Sequence, residues 1–460
     1  MLDNSLWDNF LWDDYFLTQA DLTDTDSTPD EDEDESKRAQ VFSGPVPHNA
    51  SDPENADSLI ASQMAKLSVA DREKVYNDVH GIPDDCVEET SELIHNSLWG
   101  LQHEIDILPD KKAYNIAERL NPKYTQDRDF RLAFLRCEKF DCHKAALRFV
   151  RHFQMKLDLF GQDMLTKDIT QDDLDVDDME CLYLSNGRFL NTHDKAGRRI
   201  NIIVMVHKTY RTDTCLRKGF YNFMTVYRDL EIQRRGFVNV SIQFGDKIKG
   251  TSADNADLAW KLPKQNEAVP LCLSAIHLCY TTKGAWEGLL AVSKTAFSKA
   301  NKVRCRVHCG PILKCLEDLR GHGIDPSCIP VNHKGEITDL VKDRKRIEQQ
   351  RRQERLKYPT RSTIAVPFCE DVLLGKGTPF QIHVGNKKLQ QFVADRFKKY
   401  ERAQKGAKKA VAQEIIDVVR GNGGLFLKQD GNRWVPVTDD VALLKVGALF
   451  RYLRLKNGTK

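Results

Sequence analysis

The sequence predicts an α/β protein with a helical N-terminal layer, an α/β sheet, and a small, separate, mainly helical α+β C-terminal domain. Four short β-rich runs are the first observation behind this fold class, and helix-period apolar patterns between them are the second. Strand and helix in alternation are typical of crossover connections, which place parallel strands in one sheet with helices packed on it. The four runs are residues 199–207, 237–244, 271–280 and 303–309.

A chain of 460 residues exceeds one ordinary hydrophobic core, so we expect several domains. Changes in composition divide the chain into five parts. They are a disordered acidic-aromatic tail and linker (1–57), a helical lead-in (58–165), the α/β domain (166–340), a basic helical linker (341–360) and a basic C-terminal domain (361–456).

The two ends of the chain carry opposite charges. Residues 1–35 contain thirteen Asp and Glu and no Lys or Arg, whereas residues 361–460 contain nineteen basic and nine acidic residues. The acidic segment buries too little apolar surface to fold alone, so we expect it to be disordered. Its aromatic residues, among them Trp7, Trp12 and Phe16, are typical of a segment that docks on a protein partner. A solvating tail that folds back on the basic C-terminal part is the alternative.

Capping residues set the helix boundaries expected in the lead-in. Ser68 is placed to cap a helix that Gly81 ends, while Thr125 and Asp141 are placed to cap two later helices. Gly161 suits the C-terminal cap of the last one. The passage that follows, LYLSNGRFLNTHDKAGRRINIIV, carries turn residues at two points and predicts a β-hairpin before the first parallel strand.

Composition bounds the location of the protein. No run approaches the eighteen or so apolar residues of a spanning helix, and the N-terminus lacks the basic segment of a secretory signal. The twelve cysteines have no paired spacing and are interpreted as reduced thiols. We therefore expect a soluble protein, cytoplasmic or nuclear, whose contact with membranes is peripheral.

Several segments resemble the CRAL-TRIO lipid-binding family, which includes phosphatidylinositol-transfer proteins. FRLAFLRCEKFDCHKAALRFVRHFQMKLDLFG, ending at residue 161, is similar to the helical lead-in of that family. SAIHLCY, KVRCRVHCG and HGIDPSCIPVNHKGEI resemble its last two strands and its closing turn, with Lys334-Gly335 in place of Gly-Gly. The resemblance spans roughly residues 91–340 and rests on the order of these motifs.

The resemblance implies a lipid cavity whose floor is the sheet and whose gate is a mobile helix, here at residues 281–297. An ordinary solid sheet core is the alternative, because apolar strand residues in parallel sheets usually fill a core. The gate segment is likewise open to two interpretations, an amphipathic helix that inserts at a membrane surface or an ordinary packed helix. The candidate cavity residues are Ile202, Val204, Val240, Ile242, Ala275, Ile276, Trp286 and Leu289.

Head-group recognition is the least defined part of the resemblance. Family members that transfer phosphatidylinositol hold the inositol phosphate with one acidic and one basic side chain. Glu267 lies near the acidic position, where Ala268 aligns equally well, and the resemblance offers Lys302 or Arg304 as the cation. The surrounding motifs do not align with those members, so the identity of the lipid stays open.

Cys305, His308 and Cys309 suggest a metal site, but no second paired cluster follows at zinc spacing. Alternation along a strand would also turn His308 away from the two cysteines. No nucleophile elbow, P-loop or dinucleotide fingerprint is present in the sequence. We therefore expect no metal, no cofactor and no enzymatic activity.

The basic linker has strong helix formers and no broad apolar stripe. A solvated connecting helix is the simple interpretation, and a nuclear-import or polyanion-binding patch is the functional one. Beyond it, DVLLGKGTPFQIHVGNKKLQQFV and GGLFLKQDGNRWVPVTDDVALLKVGALFRYLR resemble the opening and close of an uncharacterised domain common in diatom and related algal proteins. We expect two helices, a hairpin at Asp430-Gly431 and a final helix capped by Thr438.

That C-terminal arrangement would suit a compact nucleic-acid-binding module with the hairpin as a wing; solvated basic helices or contact with anionic lipid head groups are the alternatives. The candidate polyanion-binding residues are Lys387, Lys388, Lys398, Lys399, Arg402, Lys408, Lys409 and Arg433. The leading hypothesis from the sequence is non-enzymatic binding, with transfer or sensing, of one hydrophobic ligand. The alternative is a lipid-responsive nuclear regulator whose acidic tail docks a partner and whose basic domain holds nucleic acid.

Overall fold

The computed structural model describes residues 62, 64–84, 86–184, 187–205, 210–244, 258, 261–281, 303–358 and 361–458. All of them belong to one compact unit, residues 56–460. The predicted acidic tail and its aromatic residues lie outside the described residues. The described chain mixes helices and sheets as an α/β protein, and no disulfide joins its cysteines.

The lead-in forms a helical layer in which most predicted caps are confirmed. Ser68 caps α1, whose C-terminal cap Gly81 has a left-handed φ of 63°. Asp141 and Gly161 flank α6 as expected, but Thr125 does not cap α5, because Asp127 accepts the hydrogen bond from the amide of Phe130 instead. The layer consists of α1 (Val69–His80), α2 (Ser91–Ile107), α3 (Lys112–Leu120), α4 (Pro122–Thr125), α5 (Arg128–Cys137) and α6 (Cys142–Phe160).

A five-stranded sheet follows α7 (Val176–Tyr183). Its strands are β1 (Arg188–His193), β2 (Arg199–Met205), β3 (Phe237–Gln243), β4 (Leu273–Tyr280) and β5 (Cys305–Cys309), in that spatial order. The four predicted strands are confirmed as parallel neighbours, and β1 pairs antiparallel with β2 as the predicted hairpin. The helices α8 (Thr212–Val226) and α9 (Leu230–Arg235) connect β2 to β3. Since β2 to β5 are parallel neighbours in sequential order, right-handed crossovers between them all lie on one face of the sheet.

The two faces of this sheet differ in chemistry. We call the first the packed face; its core residues are Ile200, Ile202, Val204, Val238, Val240, Ile242, Ala275 and Cys279. These side chains pack against α10 (Ile312–Arg320) and against Ile324, Ile329 and Val331 of the closing segment. The opposite side, which we call the polar face, carries Asn201, Asn239, Ser241 and Gln243 at the alternate strand positions.

The basic linker forms α11 (Leu340–Lys357), and the expectation of a solvated helix is wrong. Its buried stripe is mostly charged and consists of Asp343, Ile347, Arg351 and Glu354. Arg351 is only 1% exposed and contacts the carboxylate of Asp172 at 2.8 Å. A stripe with a single apolar residue gives almost no hydrophobic signal in the sequence, although ion pairs bury it against the α/β domain.

The C-terminal region contains the predicted helices and hairpin, and Thr438 is the N-cap residue of the last helix. A short strand before the first helix was not predicted; it pairs parallel with the first hairpin strand. Together the helices enclose an apolar core that includes Leu389, Ile415, Val446 and Phe450. The elements are β6 (Val372–Leu374), α12 (Thr378–Ile382), α13 (Val384–Arg402), α14 (Ala407–Gly421), β7 (Phe426–Asp430), β8 (Arg433–Pro436) and α15 (Asp439–Lys456).

Candidate functional site

A chain of polar side chains crosses the two central strands on the polar face. The amide nitrogen Nδ2 of Asn201 donates to Oδ1 of Asn239 at 2.9 Å, and Nδ2 of Asn239 donates to Oγ of Ser241 at 3.0 Å. Asn201 and Ser241 are each 8% exposed. Interior strands of parallel sheets are normally continuous apolar runs, so a hydrogen-bonded polar track there departs from what stability alone requires.

The track ends on a buried acceptor. Gln243, the last residue of β3, is 4% exposed, and within the described part of the chain its Oε1 has no hydrogen-bond partner. Gln265 lies against α8, where its Nε2 donates to the carbonyl of Leu216 at 2.6 Å while its own Oε1 is likewise unpartnered among described residues. Buried acceptors without donors are costly, and a ligand is one source of the missing donor.

Apolar side chains adjoin the track on the same face. Ile276 pairs in register with Asn239, and Leu278 pairs with Ser241, so these residues face the same side. Both are almost fully buried, and Ile203, half-buried on β2, is in register with Ser241 on the other side of the track. A few convergent polar groups within an apolar surround are typical of sites for small amphipathic molecules.

The candidate cavity residues are divided between the two faces. Ile202, Val204, Val240, Ile242 and Ala275 lie on the packed face, each at most 2% exposed, in the core formed with α10. Ile276 alone lies on the polar face. Trp286 and Leu289 are outside the described residues, as is the predicted gate at 281–297 apart from Thr281.

Two of the head-group candidates meet in one cleft of about 340 Å³ at the amino ends of the strands. Glu267 pairs with Arg151 at 3.2 Å, and Arg304 pairs with Asp78 at 2.8 Å. Lys302 lies outside the described residues. The cleft is rich in cations, which include Lys74, Arg136, Lys139, Arg148, Arg198, Arg234, Arg235 and Arg304.

Ion pairs neutralise part of the charge in this cleft. Glu89 accepts from Arg136 and Arg234, each at 2.8 Å, and the hydrogen bond from Arg136 is the main cause of a pKa below the usual range for this carboxyl group. Arg148 pairs with Glu138 at 2.5 Å. Cations still outnumber carboxylates in the cleft, which lies at the amino ends of the strands. Gln243 lies at the opposite, carboxyl end of β3.

The candidate polyanion-binding residues are spread over α13, α14 and β8. Lys388 pairs with Glu370 at 2.7 Å and Lys399 pairs with Glu414 at 2.6 Å, while Nζ of Lys408 lies 5.1 Å from the ring centre of Tyr400. The others are exposed: Lys387, Lys398, Arg402, Lys409 and Arg433. Most of this set flanks the turn between α13 and α14, where Lys405 is exposed as well.

A charged junction joins α11 to the α/β domain and to the C-terminal region. Arg355 contacts Asp172 at 2.8 Å and Asp371 at 2.5 Å. Burial alone would raise the pKa of Asp172, but Arg351 and Arg355 outweigh it and lower this pKa to about 2. Glu354 has the opposite shift, since burial raises its pKa above the usual range. The junction thus holds one carboxylate firmly ionised at neutral pH.

Comparison with known proteins finds a match for one part of the chain. Residues 371–452 match a domain of unknown function, DUF6824, within the C-terminal region. No curated protein matches the chain. Among the described residues, no helix is both long and apolar enough to cross a membrane. The match therefore shows what the C-terminal region is similar to, and the matched family has no known function.

The polar track was not predicted from the sequence, although a signal for it exists. In FVNVSIQ, the sequence of β3, polar residues occupy every second position as Asn239, Ser241 and Gln243. Period-two alternation in a strand indicates one face of different chemistry. The neighbouring β2 contributes Asn201 at the position paired with Asn239.

Proposed function

We propose that the α/β domain binds one amphipathic ligand, such as a phospholipid, on the polar face of its sheet. The ligand's polar group meets the track formed by Asn201, Asn239, Ser241 and Gln243, and its apolar part lies beside Ile276 and Leu278. Binding is non-enzymatic and serves transfer or sensing of the ligand. The observation that carries the proposal is the buried polar track, because a parallel sheet gains no stability from it.

The energetics favour a ligand that carries a hydrogen-bond donor. Leaving a buried acceptor unpaired costs about 1–3 kcal/mol, and Oε1 of Gln243 has no partner among the described residues. A bound hydroxyl or ammonium group removes that penalty, so the ligated state is stabilised selectively. A difference in affinity between two states of the domain would then couple ligand binding to conformation.

The experiment compares loading by the full chain and by the variant Gln243→Met. Delipidated protein is incubated with liposomes of mixed phospholipids, separated from them and extracted, and the bound lipid is identified by mass spectrometry. The wild-type chain retains about one lipid per molecule, whereas Gln243→Met retains much less. The control Gln429→Met changes an exposed glutamine on β7 and loads like wild type. Equal loading by all three proteins, or loading by none, contradicts the proposal.

A second candidate function, a ligand-responsive nuclear regulator, is favoured by the exposed cations around the turn between α13 and α14. Lys398, Arg402, Lys405 and Lys409 lie within twelve residues of chain, and such clustering is typical of contact with phosphates. In this interpretation the C-terminal domain holds nucleic acid while the α/β domain holds its ligand. Binding of phosphates would then depend strongly on salt concentration.

The second candidate is tested by the shift of a DNA duplex with the full chain at increasing salt. The double variant Lys398→Ala, Lys409→Ala weakens the shift and lowers its salt dependence. The control Lys445→Ala changes a lysine away from this turn, on α15, and leaves the shift unchanged. Absence of any shift, with binding to anionic liposomes instead, assigns the cations to a membrane surface and removes this function.

A further inference from the structure

Three histidines from separate elements converge on the packed face at the β5 edge of the sheet. His277 lies on β4, His308 on β5 and His322 just after α10. One ring nitrogen from each lies within 4.8 Å of those of the other two. His277 is fully buried, His308 is 5% exposed and His322 is half-buried.

Strand register brings the first two histidines together. His308 pairs with Cys279, two residues along β4 from His277, so the two imidazoles are diagonal neighbours on one face. Nδ1 of His277 lies 3.1 Å from Nε2 of His308. Two nitrogens bound to a tetrahedral zinc ion at the usual bond lengths are roughly 3.3 Å apart, so this spacing is close to that of a shared ion.

A tight contact between two turns positions the third histidine. Gly323 follows His322 with a φ of 76°, and a Cβ built on it would lie 3.2 Å from the Cα of Gly81, the cap residue of α1. Only a residue without a side chain suits that approach at positive φ. His80, the last residue of α1, thereby comes within 4.9 Å of His322, measured between ring centres.

The ring nitrogens are oriented for a metal. Nδ1 of His322 donates to the carbonyl of Val79 at 3.2 Å, which leaves its Nε2 as the ligand atom, in the way that second-shell acceptors fix a metal-binding imidazole. Nδ1 of His80 faces the carbonyl of Tyr76 at 2.9 Å and likewise leaves Nε2. Nδ1 of His277 faces Nε2 of His308, so its Nε2 is turned away from the cluster and has no hydrogen-bond partner among described residues.

Two guanidinium groups lie near the cluster, those of Arg198 and of Arg306, which is in register with His277 on β5. The nearby guanidinium of Arg198 is compensated by Asp194, whose carboxylate lies 2.6 Å away. A hydrogen-bonded histidine cluster without a metal is the alternative arrangement.

We propose that His277, His308 and His322 form a zinc site, with water or His80 in the fourth position. Three imidazole nitrogens and no carboxylate suit Zn²⁺ and not Ca²⁺ or Mg²⁺. The ion would tie β4, β5 and the turn after α10 together, and with His80 as the fourth ligand it would also hold the end of α1 on the sheet. This site lies on the packed face and is independent of the ligand proposed for the polar face.

The test measures zinc in the full chain, purified without a histidine tag and without chelators. Elemental analysis is expected to find about one zinc per chain, and Co²⁺ in its place gives the visible absorption of tetrahedral cobalt. The variant His322→Gln, at the half-buried position, binds Zn²⁺ at least about tenfold more weakly. The variant His333→Gln changes an exposed histidine of the closing segment and binds Zn²⁺ like wild type.

A thermal measurement keeps the test decisive for variants that fold poorly. Added Zn²⁺ raises the Tm of the wild-type chain and of His333→Gln, and a strong chelator reverses the rise. His322→Cys, which offers another zinc ligand, retains part of the rise, whereas His322→Gln shows none. The proposal is overturned by a wild-type chain that neither contains zinc nor gains Tm with it, or by equal gains in wild type and His322→Gln.

Discussion

The packed face and the polar face belong to the same strands, yet the side chains buried on them differ: one set is apolar and the other includes a hydrogen-bonded polar track. On the packed face, Ile242 and its neighbours meet α10 in a continuous apolar core. On the polar face, both amide atoms of Asn239 form hydrogen bonds within a track that ends at Gln243, whose Oε1 has no partner in the described part of the chain. An apolar core fills most of the packed face, whereas on the polar face we propose that a ligand supplies the missing hydrogen-bond donor. Burial alone therefore does not distinguish a core from a binding site.

The largest effect is expected from the packed face. Replacing Ile242 with Ala leaves a cavity against α10, because the strands on both sides of β3 prevent collapse. We expect the free energy of unfolding to fall by about 2–5 kcal/mol in urea titration. Lipid loading per folded molecule stays at the wild-type level. Loss of loading with unchanged stability would reverse the assignment of the two faces.

The chain is expected to lose stability at low pH, which limits the pH range in which the two faces can be compared. The pKa of Asp172 is lowered from 3.8 to about 2 in the folded chain, so its contribution is present above pH 4 and lost as pH falls toward 2. This shift corresponds to about 2 kcal/mol of unfolding free energy. Urea unfolding between pH 5 and pH 2 shows this loss in wild type, and Asp172→Asn flattens that limb while destabilising the chain at neutral pH. An unchanged acid limb in the variant would contradict the ion pairs at α11.

The polar face gives a smaller effect on stability and a larger one on binding. Asn239→Leu removes the link between Asn201 and Ser241 and leaves one donor and one acceptor without that partner. We expect lipid affinity to weaken by about 1–3 kcal/mol in a titration of the delipidated chain. Asn115→Leu, an exposed position on α3, serves as the control and binds like wild type. Tighter binding by Asn239→Leu would mean that the ligand meets this face through apolar contacts alone.

The smallest change in the free energy of unfolding is expected for a surface ion pair of the C-terminal helices. The pair between Lys399 and Glu414 is exposed to solvent, with 59% and 44% of the two side chains accessible. Lys399→Ala should change the unfolding free energy by less than about 1 kcal/mol, and salt should remove the difference. A loss comparable to that of Ile242→Ala would show that the C-terminal helices depend on ion pairs and not on their apolar core.

Local chemistry explains which parts of this fold could be predicted. Short β-rich runs predicted four strands, and Ser68, Asp141 and Thr438 predicted helix starts, since each signal lies within a few residues of its effect. The side of the sheet that meets α10 was not predictable, because SAIHLCY is largely apolar at both sets of alternate positions. Which face is filled depends on the path of the chain after β5.

Long-range pairing hid the remaining features. Burial of α11 depends on the pair between Arg351 and Asp172, 179 residues apart, so a helix with no apolar stripe gave no sign of it. The histidine cluster combines residues from β4, β5 and a turn. It shares only His308 with the local Cys-x-x-His-Cys motif seen in the sequence. Only a three-dimensional arrangement could bring these groups together.

The most direct measurement is the native mass of the full chain as purified without detergent, compared with its mass after solvent extraction. We expect one adduct of lipid mass per chain, which extraction removes. We expect the same adduct to be strongly reduced in Gln243→Met. A chain that shows its sequence mass alone, both as purified and after exposure to liposomes, would contradict the claim that the polar face is a ligand site.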